Sequence, residues 1–319
     1  MAVYTHLGAE QLASLLNEYD VGDLVSAKGI AEGVSNSNWL IETTQDRFIL
    51  TMYERRTDIS DLPFFLGLLD HLAATGCPVP KTIHDRNGAL SREIDGKAVA
   101  LIEFLPGVSP SAPSAAQAKA VGEALARLHL ATASYPEKRI NDMGAAHWPA
   151  IAAACGDSAL ATIDPSLPQT IRDHLESLLS EWPRALPAGV VHADLFPDNV
   201  LFVGNEVSGM IDFYFACSDA FAYDLAVTHA AWCFDRKGQA FDAELSHALV
   251  QGYQKIRSLT PEERTALPVL AKGASMRFIL SRADDWLNTP EDALVERKDP
   301  MDFVRRLEFY DRMGDRAFS

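Results

Sequence analysis

His192, Asp194, Asn199 and Asp212 are the residues of this 319-residue chain best spaced to do chemistry. The first three stand in Val190-Val191-His192-Ala193-Asp194-Leu195-Phe196-Pro197-Asp198-Asn199-Val200-Leu201-Phe202. A polar break separates that stretch from Met210-Ile211-Asp212-Phe213. Apolar runs on both sides predict short loops between buried strands. An Asp beside an acceptor hydroxyl takes its hydrogen bond and aims the oxygen at a phosphorus atom. Positioning and charge neutralisation then matter more than base strength, because the transition state is loose. Asn199 and Asp212, 13 residues apart across a strand–turn–strand, offer hard oxygen ligands suited to Mg²⁺ held between protein and triphosphate. Any one of these residues alone would read as an ordinary turn former. Together they point to phosphoryl transfer from ATP, with Asp194 and His192 as the catalytic pair and His192 bracing the loop by hydrogen bonds.

The spacing H-x-D-x-x-x-x-N is that of a kinase catalytic loop, and Asp212-Phe213 stands where kinases place D-F-G. Upstream, Glu32-Gly33-Val34-Ser35-Asn36-Ser37-Asn38-Trp39 separates two strand candidates. Gly33, Ser35, Asn36 and Ser37 there are expected to offer N–H and hydroxyl donors to phosphates. The loop lacks G-x-G-x-x-G, and a plain hairpin turn would have the same composition. In Ala100-Leu101-Ile102-Glu103-Phe104-Leu105-Pro106-Gly107, backbone groups of Glu103 and Leu105 are placed to meet an adenine edge; an edge strand entering a turn fits equally. Asp224, opening an apolar helix, is expected to support the catalytic loop. Kinases carry a Lys on the strand after the phosphate loop, and here that position is the neutral Thr51. Lys28, Arg55 and Lys81 are the candidate replacements.

Around these residues the pattern predicts a helix over 8–19, strands near 24–31, 37–43, 47–53, 89–94 and 97–103, and a helix over 60–75. After a Ser/Pro/Ala-rich connector at 109–116, helices dominate, beginning with Ala116–Leu130. The pattern predicts an α+β chain with a bilobal protein-kinase-like fold. Residues 1–103 are expected to form a small antiparallel-sheet nucleotide-binding lobe, and 104–319 a larger, mainly helical catalytic and substrate-binding lobe, with the site in the cleft.

Hydrophobic residues make up 48% and charged residues 23%, as in ordinary globular proteins. A net charge of −16 argues against nucleic-acid partners and anionic membranes. No run approaches the roughly 20 apolar residues of a membrane span. Cys77, Cys155, Cys217 and Cys233 lack metal or redox spacing, so reduced, buried thiols and a cytoplasmic location are expected.

The motifs resemble those of the aminoglycoside phosphotransferase/choline kinase-like superfamily, and within it the type II homoserine kinases. The likeness rests on Gly33–Trp39, Phe48–Glu54, Asp61–Phe65, Leu125–His129, His192–Asn199, Ile211–Tyr214 and Tyr223–Ala226, with Arg277-Phe278 and Ser281-Arg282 in a similar helical tail. It implies ATP- and Mg²⁺-dependent phosphorylation of L-homoserine to O-phosphohomoserine, a step toward threonine. Asp194 would be the catalytic Asp, with Asn199 and Asp212 on magnesium.

A zwitterionic acceptor needs a cation for its carboxylate and an anion or π-face for its ammonium. Tyr214, Trp232, Arg277 and Arg282 are the candidates, with Trp232 also at core spacing from Leu225 and Thr228. His229, Trp148, Asn141, Asp284 and Asp285 are further possibilities. Two rival readings stand: a kinase of another small hydroxyl compound (amino alcohol, sugar or aminoglycoside), and a non-catalytic nucleotide-binding regulatory module. Intact Asp194, Asn199 and Asp212 argue against the second.

Overall fold

A computed structural model describes residues 7–30, 36–54, 58–289 and 297–319. The chain divides into two compact units, Met1–Gly107 with Ser208–Tyr214, and Val108–Val207 with Phe215–Ser319.

The first unit is built on a six-stranded sheet. Helix α1 (Ala9–Leu16) precedes strands β1 (Leu24–Ile30), β2 (Ser37–Thr43) and β3 (Arg47–Met52). Helix α2 (Leu62–Ala74) follows, then β4 (Thr82–Ile83), β5 (Arg92–Ile94) and β6 (Lys97–Glu103). The strand order is β1-β2-β3-β6-β4, with β5 also on β6 and every pairing antiparallel. Burial alternates along β2, as a sheet with one packed face requires. Trp39, Ile41, Phe48, Leu50, Met52, Val99 and Leu101 form that face, covered by Leu12, Leu15 and Leu16 of α1. The helix ends at Leu16, short of the expected 19, because Tyr19 and Val21 turn in to the same core.

The strand expected at 89–94 shortens to three residues for a reason visible in Asp85. Its carboxylate accepts the N–H groups of Asn87 and Ala89 and pairs with Arg92, so the local turn takes the donors a ladder would need. These bonds hold the Asp85 pKa below the ordinary carboxylate value, the Ala89 N–H contributing most. Strand β4 has two residues, too few to leave a period in the sequence.

The second unit is mainly helical. It begins with α3 (Ala115–Thr132), α4 (Trp148–Cys155), α5 (Asp157–Ile163) and α6 (Leu167–Glu181). Then come β7 (Ala188–Val191), β8 (Val200–Val203), β9 (Glu206–Met210), which leads into the first unit, and β10 (Cys217–Ala220). Helices α7 (Phe221–Trp232), α8 (Ala243–Ile256), α9 (Pro261–Asn288) and α10 (Met301–Met313) complete it. Ser114 and Gln117 cap α3 reciprocally, which sets its start one residue before the expected 116. α3 and α8 cross at two glycines. A Cβ on Gly122 would lie 2.1 Å from the Leu249 carbonyl oxygen, and one on Gly252 would lie 2.1 Å from that of Lys119. α7 is buried on all sides, so it carries no amphipathic period. No described helix is long and apolar enough to cross a membrane.

Candidate active site

The loop expected to be catalytic hangs from one buried carboxylate. Val190 and Val191 bury the end of β7, and the chain then turns sharply at Ala193, whose φ of 61° is left-handed. A non-glycine residue holds that conformation only where its surroundings over-determine it. Asp224 supplies the constraint. Its Oδ2 accepts the His192 N–H at 2.8 Å and its Oδ1 the Ala193 N–H at 2.7 Å. Asp224 is itself wholly buried on α7, where burial alone would raise its pKa. The His129 hydrogen bond and neighbouring imidazoles outweigh that and hold it below the usual carboxylate range.

His129 extends the anchor backward. Its ring bonds Asp224 through Nε2 at 3.0 Å and the Tyr253 hydroxyl through Nδ1 at 2.7 Å, and burial pushes its pKa down. Arg257 donates to the Tyr253 hydroxyl and pairs with Glu263 at 2.8 Å. Glu263 and Thr260 form the reciprocal cap that starts α9. A single polar chain thus runs from the start of α9 to the catalytic loop. His129 appeared in the sequence as part of a motif, without a role. Its one readable signal is a polar residue on the buried stripe of α3.

Within the loop, the Asp194 N–H donates to His192 Nδ1 at 3.2 Å, so the fully buried His192 braces rather than faces a ligand. Asn199 Nδ2 donates to the Asp194 carbonyl at 2.8 Å and approaches its carboxylate at 3.4 Å. Trp232 donates its indole N–H to the Leu195 carbonyl at 2.9 Å and is 1% exposed. Its place is therefore under the loop, as its core spacing predicts. Arg277 on α9 donates from Nη1 to Asp194 Oδ1 at 3.1 Å and stacks against Phe278 and Phe215. Arg282 is engaged elsewhere, by Asp302 and the Asp299 carbonyl; burial lowers its pKa.

Asp212 and Tyr214 belong to the first unit. Asp212 adopts a φ of 65°, a second left-handed non-glycine position. The Tyr214 hydroxyl meets that of Tyr53 at 3.1 Å and its ring packs edge-on to Phe65; burial pushes its pKa to about 12. Gly33, Ser35 and Arg55 lie outside the described residues. At the end of that loop Asn36 and Ser37 are buried anchors: Asn36 accepts the Glu54 N–H, and Ser37 donates to the Glu54 carboxylate at 2.8 Å. Glu54 in turn pairs with Lys97 at 2.5 Å, an ion pair absent from the sequence reading. Glu103 donates its N–H to the Lys81 carbonyl, whereas the Leu105 N–H meets no backbone acceptor among the described residues.

Thr51, at the strand position where kinases carry a lysine, donates its hydroxyl to Asn38 at 2.8 Å. Strand register bears on one of the cations expected to replace the lysine, since Arg55 lies outside the described residues. Lys28 pairs with Leu40 and Leu40 with Ile49, so Lys28 projects on the sheet face that Ile49 and Thr51 share.

Sequence and structure comparisons bear on the family and the fold. Residues 26–259 match the Phosphotransferase enzyme family. The chain belongs to that family. A homoserine kinase of Acidiphilium cryptum (strain JF-5) is 49% identical over 317 residues, covering 99% of each chain. A homoserine kinase of Caulobacter sp. (strain K31) is 51% identical over 308 residues, covering 96% of each. Among solved structures, an amicoumacin kinase covers 97% of this chain and 95% of its own, with a TM-score of 0.71 at 16% identity. A microcompartment-associated aminopropanol kinase covers 97% of both chains, with a TM-score of 0.68 at 17% identity. The expected α+β kinase-like fold is borne out.

Proposed function

We propose that this protein transfers the γ-phosphate of ATP to the side-chain hydroxyl of L-homoserine, giving O-phospho-L-homoserine and ADP on the route to threonine. The observation that carries this reading is the near-half identity, from end to end, to relatives named homoserine kinase. The catalytic-loop geometry supports the same chemistry.

In that reaction the acceptor oxygen attacks the γ-phosphorus, an O–P bond forms, and the bond to the β–γ bridging oxygen breaks as ADP leaves. Asp194 accepts the hydroxyl hydrogen bond and takes the proton. Its orientation is held by the His192 brace, the Asn199 amide and the Asp224 anchor. Mg²⁺ fits the donors present. Asn199 spends its amide nitrogen on the Asp194 carbonyl, leaving its carbonyl oxygen without a protein donor among the described residues. By its motif Asp212 is proposed as the other protein ligand. Mg²⁺ ordinarily takes only one or two protein oxygens and completes its shell with phosphates and water, so no larger protein cluster is required. Once bound, it would neutralise charge on the triphosphate. Glu103 and Leu105 are proposed for the adenine edge, and Gly33, Ser35, Asn36 and Ser37 for the phosphate loop; the last two act mainly by fixing the loop's end. Lys28 is the proposed stand-in for the strand lysine.

The test is ADP release from Mg-ATP in a coupled assay across L-homoserine, L-serine, L-threonine, choline, ethanolamine, several sugars and kanamycin. Turnover concentrated on homoserine is expected. Strong turnover on another acceptor would discard the substrate assignment, and none at all would discard the enzyme.

A further inference from the structure

Arg277 presents a guanidinium that the described residues use only in part. The residue is 4% exposed in the middle of α9, and a charge withdrawn from water to that degree demands partners. Among the described residues it has one hydrogen-bond acceptor, Asp194 Oδ1 at 3.1 Å, and two aromatic faces, Phe278 at 3.9 Å and Phe215 at 4.8 Å. A guanidinium carries five N–H donors in a rigid fork. One is engaged, so four remain. None of the remaining nitrogens is sealed off from solvent without a partner: the described buried polar atoms lacking one are Tyr19 Oη and His147 Nδ1. Phe215, beside the guanidinium, is 41% exposed, which leaves that flank open.

The neighbouring arginines are different. Arg282 donates to the Asp302 carboxylate and the Asp299 carbonyl. Arg306 spends its donors on the carbonyls of Ala230, Asp302, Asp235 and Arg236. Both tie α10 to the rest of the unit and have little left for a ligand.

We propose that Arg277 is the seat of the acceptor's carboxylate, a specificity-determining residue that holds the acceptor and the catalytic Asp194 on one guanidinium. The proposal rests on the homoserine reading and deepens it. A carboxylate meets the open edge of such a fork with two parallel hydrogen bonds, a geometry a single ammonium cannot offer. With Asp194 on one nitrogen and the carboxylate on the others, the acceptor hydroxyl has to return to Asp194. That selects short hydroxy acids whose two ends are linked by a few carbons, and L-homoserine satisfies it. Amino alcohols bring a hydroxyl and an ammonium but leave the fork unpaired. Discrimination therefore arises from the pair of charge-assisted hydrogen bonds that only a carboxylate supplies to the fork.

The experiment compares L-homoserine with 3-aminopropan-1-ol, which is homoserine without its carboxylate, in the parent protein and in Arg277→Gln and Arg277→Lys. In the parent, kcat/KM for homoserine should exceed that for the amino alcohol by about 10³-fold or more. Arg277→Gln should raise the homoserine KM and collapse that ratio to within roughly tenfold, with KM for ATP unchanged. Arg277→Lys should recover only part of the ratio, because a point charge lacks the fork. If the parent favours homoserine but the Gln variant lowers both acceptors equally, Arg277 only positions Asp194 and the proposal is wrong. A parent that uses both acceptors equally well also refutes it, and that arm needs no variant to fold. A parent inert toward homoserine removes the functional reading first, and the carboxylate seat with it.

Discussion

Asp224→Asn isolates what one buried carboxylate does for the catalytic loop. The side chain accepts three hydrogen bonds, from the His192 N–H at 2.8 Å, the Ala193 N–H at 2.7 Å and His129 at 3.0 Å. Asparagine is nearly isosteric but replaces one oxygen with an NH₂ group that faces a backbone donor. Hydrogen bonds to a charged acceptor are worth about 1.5–3 kcal/mol each, against roughly 1 for neutral ones. One such bond is lost and the other two fall to neutral strength. The displaced N–H is left buried and unpaired, a further cost of about 1–3 kcal/mol. Taken at the low end of each range the sum is about 3.5 kcal/mol, a large share of the roughly 5–15 kcal/mol that holds a typical domain. The left-handed turn at Ala193 also loses half its anchor, so Asp194 shifts. A displacement of about 1 Å at a catalytic group costs on the order of 10²-fold in rate. Urea unfolding of parent and variant, with kcat and both KM values measured on the folded fraction, reads all of this. The expected result is a drop of at least about 3.5 kcal/mol, kcat down roughly 10²-fold, and KM for ATP little changed. A variant within 1 kcal/mol of the parent and within twofold in kcat would refute the anchoring role.

Asp194→Asn should reduce kcat by at least about 10³-fold while calorimetry still detects Mg-ATP binding; near-parental turnover would overturn the catalytic assignment. Gly122→Ala places a methyl group 2.1 Å from the Leu249 carbonyl oxygen and 2.8 Å from the Tyr253 nitrogen, forcing α3 and α8 apart. Overpacking of this kind costs about 1–3 kcal/mol, more than the gain of up to about 1 kcal/mol from removing a helical glycine, so the melting temperature should fall. His229 is buried between Tyr310, Ser246 and the Ala317 carbonyl, and burial pushes its pKa down to about 3. Below about pH 6.5 the unfolded chain binds a proton there that the folded chain refuses, so stability should fall with pH by about 1.4 kcal/mol per unit down toward pH 3. His229→Gln should flatten that slope between pH 6.5 and 5; equal slopes in the two proteins would remove His229 as the cause.

What the sequence made legible followed from periodicity and motif spacing. β2 and β6 occupy the expected residues, since a sheet face packed on α1 enforces alternation and the hinge-like Leu105-Pro106 stops the strand. The loop residues 192–199 were readable because polar groups between apolar strands have few structural reasons to exist. The rest depended on contacts that sequence order does not encode. Arg277 lies 83 residues from Asp194, and His129 lies 95 from Asp224. Lys97 finds Glu54 only because β6 runs beside β3. Trp232 and Arg282 illustrate the opposite difficulty. Both residue types suit a ligand, but Trp232 is placed under Leu195 and Arg282 is claimed by α10.

Helix α9 is linked to the candidate catalytic loop at two points, once directly and once through a relay. Glu263, at its first turn, reaches Asp224 through Arg257, Tyr253 and His129, and Arg277 reaches Asp194 directly. The two grips are 14 residues apart on one helix, about 21 Å at the ideal α-helical rise, with Pro268 between them. α9 thus works as a ruler. Inserting or deleting a single residue between them would swing one grip by about 100° around the axis while the other stayed fixed. Natural length variation in this protein should therefore be confined to connections outside that interval, and chimeras should exchange α9 whole, together with the loop it gauges.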